Sequence, residues 1–289
     1  MKILYAADGS EGGLYPARFF ASLPHHPDVH VHIVTAREAD DDQDGSALLA
    51  AAQAALGGFP EKITTATARV NSLSTSEVVD KILFTADYVE ADLIVVGASG
   101  HSAIAQFFLG SVAESVARHA RQPVLVTRPL KSPLRDIIIG IDNSDNSREA
   151  AQFAVSRFPL PLLCTLRLAC VVPQPVFGAV GDPLHPGSPN DLTLEMVNRE
   201  ASRKARRSAE ALADTLRSLK AGPRIDVETV ALGHPVTELV RIADEQSAGL
   251  IVVGSEGLTG IERFLLGSVS ERVLRHAHCS VLIVKQENL

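Results

Sequence analysis

A repeat dominates this sequence. Displaced by 157 positions, Leu93–Val126 lies on Leu250–Ile283 without a gap, and 19 of those 34 pairs are identical. The two stretches must therefore fold alike, and whatever unit contains them must fit twice into 289 residues. That length suits two domains of ordinary size, each large enough to bury a core of its own.

The starts of the halves correspond as well. "KILYAADGSEGG" and "DIIIGIDNSDNS" are apolar runs that stop at an aspartate, Asp8 or Asp142, with a serine two residues on. From Asp8 to Gly97 is 89 residues and from Asp142 to Gly254 is 112, so the second copy carries 23 more. Pro173–Asn190, with five prolines and three glycines, accounts for much of this excess and reads as a long surface loop. The boundary falls near "RPLKSPL", which gives domains at residues 1–130 and 134–289.

Strands and helices alternate within each half. Strands are expected at Lys2–Ala7, Val29–Thr35, Lys62–Val70, Asp92–Val96 and Val124–Thr127 in the first. The second should have them at Asp136–Ile141, Leu166–Val172, Ile225–Ala231, Leu250–Val253 and Val281–Val284. Runs such as "LIVVG" are continuously apolar, as strands covered on both faces of a parallel sheet must be. With right-handed crossovers the expected fold is α/β, two tandem doubly wound five-stranded parallel-sheet domains. The longest helix, Leu192–Leu219, should bury a stripe of Leu194, Val197, Ala201, Ala205, Leu212, Leu216 and Leu219.

Composition narrows the function. A net charge of −7 argues against a general nucleic-acid binder, and Arg199, Arg203, Arg206 and Arg207 read as a solvated face because Glu195, Glu200 and Glu210 are interspersed. Cys164, Cys170 and Cys279 have no CxxC spacing and read as buried small apolar residues in a reducing compartment. There is no uninterrupted apolar run of about 18 residues to span a bilayer, so a cytoplasmic protein is expected. "HAHC", His276–Cys279, reads as a helix end that favours histidine rather than as a metal pair.

Ligands of doubly wound sheets sit at the carboxyl ends of the strands, where the strand order reverses. Asp8 ends the first strand there and Gly97 the fourth. In "VVGASGHSAIAQFFLGSV" a glycine at 97 or 100 frees the backbone to turn with positive φ and lets another group approach closely. Gly110 and Ser111 then open a helix whose first amides form an anion site, most naturally for phosphate. A plain turn and a plain serine cap explain one copy equally well, but the spacing occurs twice. The chain has neither GxxxxGK[ST] nor GxGxxG, which excludes a P-loop NTPase and a Rossmann dehydrogenase.

The pattern G-x2-G-x9-G-S, after "LIVVG" and before a helix and a last strand, resembles the ATP-binding branch of the universal stress protein family. So do the strand endings "AADGS" and "GIDNS", and the resemblance covers both halves. It implies a fold like that of the adenine nucleotide alpha hydrolases and one ATP per domain, with accompanying Mg²⁺ left open. It also implies that Val124–Thr127 and Val281–Val284 pair within the chain to make a pseudo-dimer.

The first site would comprise Ala7, Asp8, Ile33, Val96, Gly97, Gly100, Gly110, Ser111 and Val112. The second would comprise Ile141, Asp142, Val171, Val253, Gly254, Gly257, Arg263, Gly267, Ser268 and Val269. In both, Ile33 or Val171 would pack on adenine and the glycines would wrap ribose and phosphates. The second copy also keeps a Gly233–Pro235 turn and Arg263, where the first has "VNSLSTSEVV" and Gln106, so it is expected to bind more tightly. The implied role is a nucleotide-dependent stress-response or signalling protein, with at most weak hydrolysis. The alternatives are a slow Mg-dependent ATPase and a scaffold without nucleotide; homodimerisation and an unidentified protein partner stay open.

Overall fold

The computed structural model describes residues 1–41, 45–99, 109–173, 191–219, 223–227, 231–256 and 266–285. The first half runs β1 (Lys2–Ala6), a 3-10 turn (Gly12–Leu14), α1 (Tyr15–Ala21), β2 (His26–Glu38), α2 (Ser46–Ala55), β3 (Pro60–Val70), α3 (Thr75–Tyr88), β4 (Leu93–Gly97), α4 (Ser111–His119) and β5 (Val124–Thr127). The second continues with β6 (Asp136–Ile141), α5 (Asp145–Ser156), β7 (Thr165–Val172), α6 (Asp191–Leu219), β8 (Arg224–Val227), β9 (Ala231–Leu232), α7 (Pro235–Glu245), β10 (Leu250–Gly254), α8 (Ser268–His276) and β11 (Ser280–Val284). The strand expected at Ile225–Ala231 is represented by β8 and β9, both parallel partners of β7. Of the Pro/Gly-rich stretch 173–190, all but Pro173 lies outside the described residues.

All the strands share one sheet in the order β3-β2-β1-β4-β5-β11-β10-β6-β7-β8, with β9 off this path beside β7. Within each half the neighbours are parallel; at the centre β5 and β11 are antiparallel. The expected intrachain pairing of the two last strands is therefore present. Its register pairs Leu125 with Leu282, Val124 with Ile283 and Val126 with Val281. Because 282 is 125 displaced by the 157-residue repeat, Leu125 faces its own counterpart and a pseudo-twofold axis passes between them.

Each face of the sheet carries one core that crosses this seam. On one face Tyr5, Phe19, Phe20 and Ile33 connect through Leu125 and Leu282 to Ile139, Leu168 and Leu216. On the other, Leu4, Val34, Ile82 and Val116 connect to Val281, Leu239 and Val273. The alternate side chains of a strand point to opposite faces, so continuous apolar runs feed both cores at once. The halves do not keep separate cores, because the last strand of each is covered edgewise by the other. Along α6 the expected stripe holds at Ala205, Leu212 and Leu216, but Val197 and Leu219 are about half exposed. A helix of 29 residues is roughly 40 Å long and outruns the strands it packs on.

Charged groups repeat the same symmetry. Glu114 and Arg118 on α4 correspond to Glu271 and Arg275 on α8. Arg118 donates to Glu271 at 3.1 Å and Arg275 to Glu114 at 2.6 Å, so the four groups interlock across the seam. Past the strand ends, Arg128 donates from Nη2 to the Leu274 carbonyl at 3.0 Å, and its counterpart Lys285 from Nζ to the Arg118 carbonyl at 3.4 Å. Both cations thereby meet the negative end of a helix dipole. Burial lowers the Lys285 pKa to about 8, Glu256 pulling it back up and Arg118 lowering it further.

Two outcomes test this seam. Leu125→Ala and Leu282→Ala should each cost about 2–5 kcal/mol in urea unfolding, and the double variant should cost less than their sum because the two side chains are direct partners. Between about pH 8 and the ordinary lysine value of 10.5, the unfolded chain binds more protons at position 285 than the native one. Lys285 should therefore make stability rise with pH across that window, and Lys285→Met should remove this rise when urea midpoints are compared at pH 8 and 10.

Candidate functional site

The strand order reverses at β1, which lies between β2 and β4, and at β6, between β7 and β10. At both places the chain leaves the strand through the same turn. Asp8 Oδ1 accepts from the Ser10 amide at 2.9 Å and the Ser10 hydroxyl at 2.7 Å; the Ser10 hydroxyl in turn accepts from the Gly13 amide at 2.9 Å. Asp142 Oδ1 likewise accepts from the Ser144 amide at 2.9 Å and hydroxyl at 2.5 Å, and Ser144 caps α5 by accepting from the Ser147 amide at 3.1 Å. Such turns suit a left-handed residue after the aspartate: Gly9 has φ 83° and Asn143 φ 68°. Each aspartate thus has one carboxylate oxygen committed to its own loop.

Gly97 is required by proximity rather than by its dihedral. It is not among the residues at positive φ, contrary to the expectation of a left-handed turn. A Cβ there would lie 2.2 Å from the Gly12 carbonyl oxygen, and a Cβ on Gly12 1.9 Å from the Ser99 carbonyl oxygen. At the repeat position, a Cβ on Gly254 would lie 2.9 Å from the Asn146 backbone. The loop after β1 or β6 is thus packed backbone to backbone on the end of β4 or β10.

The loop that follows is closed by one hydrogen bond in each half. The Gly110 amide donates to the Ala98 carbonyl and the Gly267 amide to the Ser255 carbonyl, both at 2.7 Å. Gly110 and Gly267 are the N-cap residues of α4 and α8, in extended conformation at φ −70° and −62°. Neither serine is the cap, which sets aside the plain serine-cap alternative for Ser111: Ser111 and Ser268 are the first helical residues, and the Ser111 hydroxyl lies 3.0 Å from that of Thr75. A glycine cap leaves the first-turn amides without a side-chain acceptor and open to a ligand. Gly100, Gly257 and Arg263 lie outside the described residues.

A cleft of about 450 Å³ occupies the first switch point and one of about 410 Å³ the second. Ala7, Asp8, Val96, Gly97, Gly110, Ser111 and Val112 line the first, as expected for a site there. Ile33 does not. It is fully buried on the opposite face of β2, among Tyr5, Leu49 and Ala52, and its neighbours Val34 and Ala36 form the wall instead. The expected position was one residue out of phase with the strand.

Ile141, Asp142, Val171, Val253, Gly254 and Val269 line the second cleft; Gly267 and Ser268 open α8 outside its described wall, where Ser270 stands. The sequence reading missed the charged groups of these walls, which are Arg37 and Lys81 in the first and Lys204 and Glu256 in the second. For Lys204 a signal existed, since it flanks the stripe of Ala201 and Ala205 on α6.

Among the described residues no histidine lines either cleft, and of the cysteines Cys170 lines the second. His30 and His32 both contact the Thr64 hydroxyl, at 3.2 and 2.7 Å, and His278 lies 3.2 Å from the Asp244 carboxylate. Burial raises the thiol pKa values of Cys164 and Cys170 to about 11. Among the described residues no helix is long and apolar enough to cross a membrane.

Comparison with known proteins gives a consistent result. A family model described as the universal stress protein family matches residues 1–128 and again residues 133–285. A universal stress protein of Methanocaldococcus jannaschii is 33% identical over 157 residues, 53% of this chain and 82% of that protein. Among solved structures, a universal stress protein from Archaeoglobus fulgidus superposes with a TM-score of 0.64 at 16% identity, covering 99% of this chain and 98% of the other. A putative universal stress protein from Pseudomonas aeruginosa gives 0.63 at 21% identity, covering 98% and 92%.

The close approach at β4 has a measurable consequence. Gly97→Ala must displace the Gly12 backbone and should cost about 1–3 kcal/mol or more, with Gly254→Ala less damaging. Gly58→Ala, with no atom within 4 Å of its added methyl, should stay within about 0.5 kcal/mol of the parent in urea unfolding.

Proposed function

This chain belongs to the universal stress protein family, and from that premise we propose that it binds adenine nucleotide, ATP, once in each half. On this reading the two domains are residues 1–130 and 134–289, and the protein acts as a nucleotide-dependent stress-response or signalling protein of the cytoplasm. The observation that carries the proposal is the first cleft: apolar at the strand side, where Ala6, Val34, Ala36 and Val96 stand, and bounded opposite by the first turn of α4. A flat apolar ring with a polyanionic tail suits that division, because the unpaired amides and dipole of a helix N-terminus favour phosphate.

Asp8 and Asp142, at the ends of β1 and β6, would meet the ribose or a Mg²⁺ carried with the phosphates. The second cleft would hold its ligand through Ile141, Asp142, Val171, Val253 and Gly254, with Val269 at the start of α8; Gly257 and Arg263 complete the implied set.

Binding is favoured over catalysis by the chemistry of the walls. Rapid phosphoryl transfer needs a charge clamp and a group that orients the attacking water. Asp8 and Asp142 are the candidate bases, and each has an oxygen held by its own turn. Mass spectrometry of nucleotide released from the purified, denatured protein should find ATP or ADP, up to two per chain; none, together with no binding on titration, would leave the scaffold reading. Phosphate release under saturating Mg-ATP should be far below the ordinary enzyme turnover of about 10 per second, and a rate near that value would establish an ATPase instead.

A further inference from the structure

The two outer edges of the sheet are built differently. Among the described residues β3 ends the sheet on one side and β8 on the other. β8 is short, Arg224–Val227, and carries Arg224 and Asp226, which form an ion pair at 2.9 Å. Short length and charge are the ordinary protections of an open edge. β3 has neither. It runs for 11 residues, its ladder with β2 continues from Lys62 to Val70 without a bulge, and from Ile63 to Ala68 it carries no charge, proline or glycine.

Helix α3, which packs over β1, β2 and β3, repeats the contrast. Thr75 and Asp87 mark its flank toward α4: the Thr75 hydroxyl lies 3.0 Å from that of Ser111, and Asp87 accepts from the Gln122 side-chain amide at 2.8 Å. At about 100° per residue, Lys81, Phe84 and Tyr88 fall on the other flank, turned toward the open edge. The rings of Phe84 and Tyr88 stack at 6.4 Å, and the two residues are 66% and 79% exposed. On α7 the repeat sets Arg241 and Glu245 at these positions and Glu238 at that of Lys81, with Arg241 paired to both carboxylates at 2.8 and 2.6 Å. The second half thus presents charge to water where the first presents two aromatic rings, a residue class enriched at interface cores.

We propose that β3 pairs with β3 of a second copy of this chain, antiparallel about a twofold axis at Thr65, with Phe84 and Tyr88 of the two α3 helices meeting beside it. The seam inside the chain is the precedent. There β5 and β11 pair antiparallel, Leu125 faces its own counterpart, and α4 and α8 interlock on one face. At β3 the same symmetry sets Thr65 opposite Thr65, Ile63 opposite Thr67 and Thr64 opposite Ala66. Lys62 falls opposite Ala68, so the cations Lys62 and Arg69 do not meet. Threonine pairs across antiparallel strands are favourable, and the outer backbone groups of both strands gain partners. The contact is isologous and closed, so assembly stops at two chains.

Sedimentation equilibrium should find a dimer of the 30.8 kDa chain at micromolar concentration. A single chain persisting to about 100 µM would overturn the proposal. Thr65→Lys, which sets two lysines face to face on the axis, should weaken the dimer at least about tenfold, as should Phe84→Ser combined with Tyr88→Ser. Arg224→Ser at the other edge and Arg241→Ser on α7 should leave it unchanged; the opposite pattern would place the interface elsewhere and overturn the pairing. All five positions are exposed, which keeps the variants folded.

Cross-linking gives a second measurement. Thr65→Cys should form an interchain disulfide on mild oxidation, because a residue on the axis faces itself, whereas Arg224→Cys should not. Cross-linking at 224 but not at 65 would overturn the pairing. None of these outcomes depends on nucleotide binding.

Discussion

Everything in this molecule is arranged around three residue pairs where β5 meets β11 antiparallel. Without that contact each half would present the backbone of its last strand to solvent, an edge that would readily pair with another chain. With it, two five-strand orders become one sheet and the cores on both faces run without interruption. The direction of the pairing also fixes the sites. Strands are parallel within a half and reversed between halves, so the two switch points lie at opposite ends of the sheet. The helices that open onto them, α4 and α8, lie on the same face and are linked at Glu114, Arg118, Glu271 and Arg275. These partly exposed ion pairs add modestly to stability; their evident role is to keep the two helices in register.

The geometry of each cleft follows from backbone rather than side chains. Gly12 and Gly97, or Asn146 and Gly254, bring the first loop of a half against the end of its fourth strand. The hydrogen bond from Gly110 to Ala98, or from Gly267 to Ser255, then returns the chain to the same point. Ala98 and Gly110, or Ser255 and Gly267, are thereby held together beside the first turn of a helix through backbone groups alone.

Much of this was legible in the sequence, and what was not has physical reasons. The duplication and the apolar runs identified nine of the strands closely, because a strand buried on both faces leaves an unmistakable pattern. The same continuity hid the parity of β2: with Val31, Ile33 and Val34 all apolar, nothing in composition says which faces the cleft, and Ile33 was assigned to the wrong side. Of the two roles read for Gly97, close approach is present and a positive φ is not; the sequence could not say that the approaching group is Gly12, which is a tertiary fact. Ser111 looks like a cap by residue type, yet the preceding glycine holds the cap position. Arg37 and Lys81 were passed over because single charges on a strand end and a helix are ordinary until the fold brings them to one wall.

The division between what the repeat retained and what it changed bears on how such a pair of sites could differ in use. At matched wall positions the apolar residues keep their type, as with Val96 and Val253, Ile82 and Leu239, Ala36 and Val171. Apolar walls favour any flat ring of suitable size and discriminate poorly among ligands that share it. Charges act differently: their interaction depends on the ligand's own charge and is stronger in a cleft than in bulk water. On the nucleotide reading, a duplicated site can thus keep its affinity for the ring through unchanged apolar contacts while charged substitutions on the same walls alter which ligand it prefers. The replacement of Ser99 by Glu256 at the matched wall position has this character, since it adds a carboxylate and leaves the apolar residues as they were.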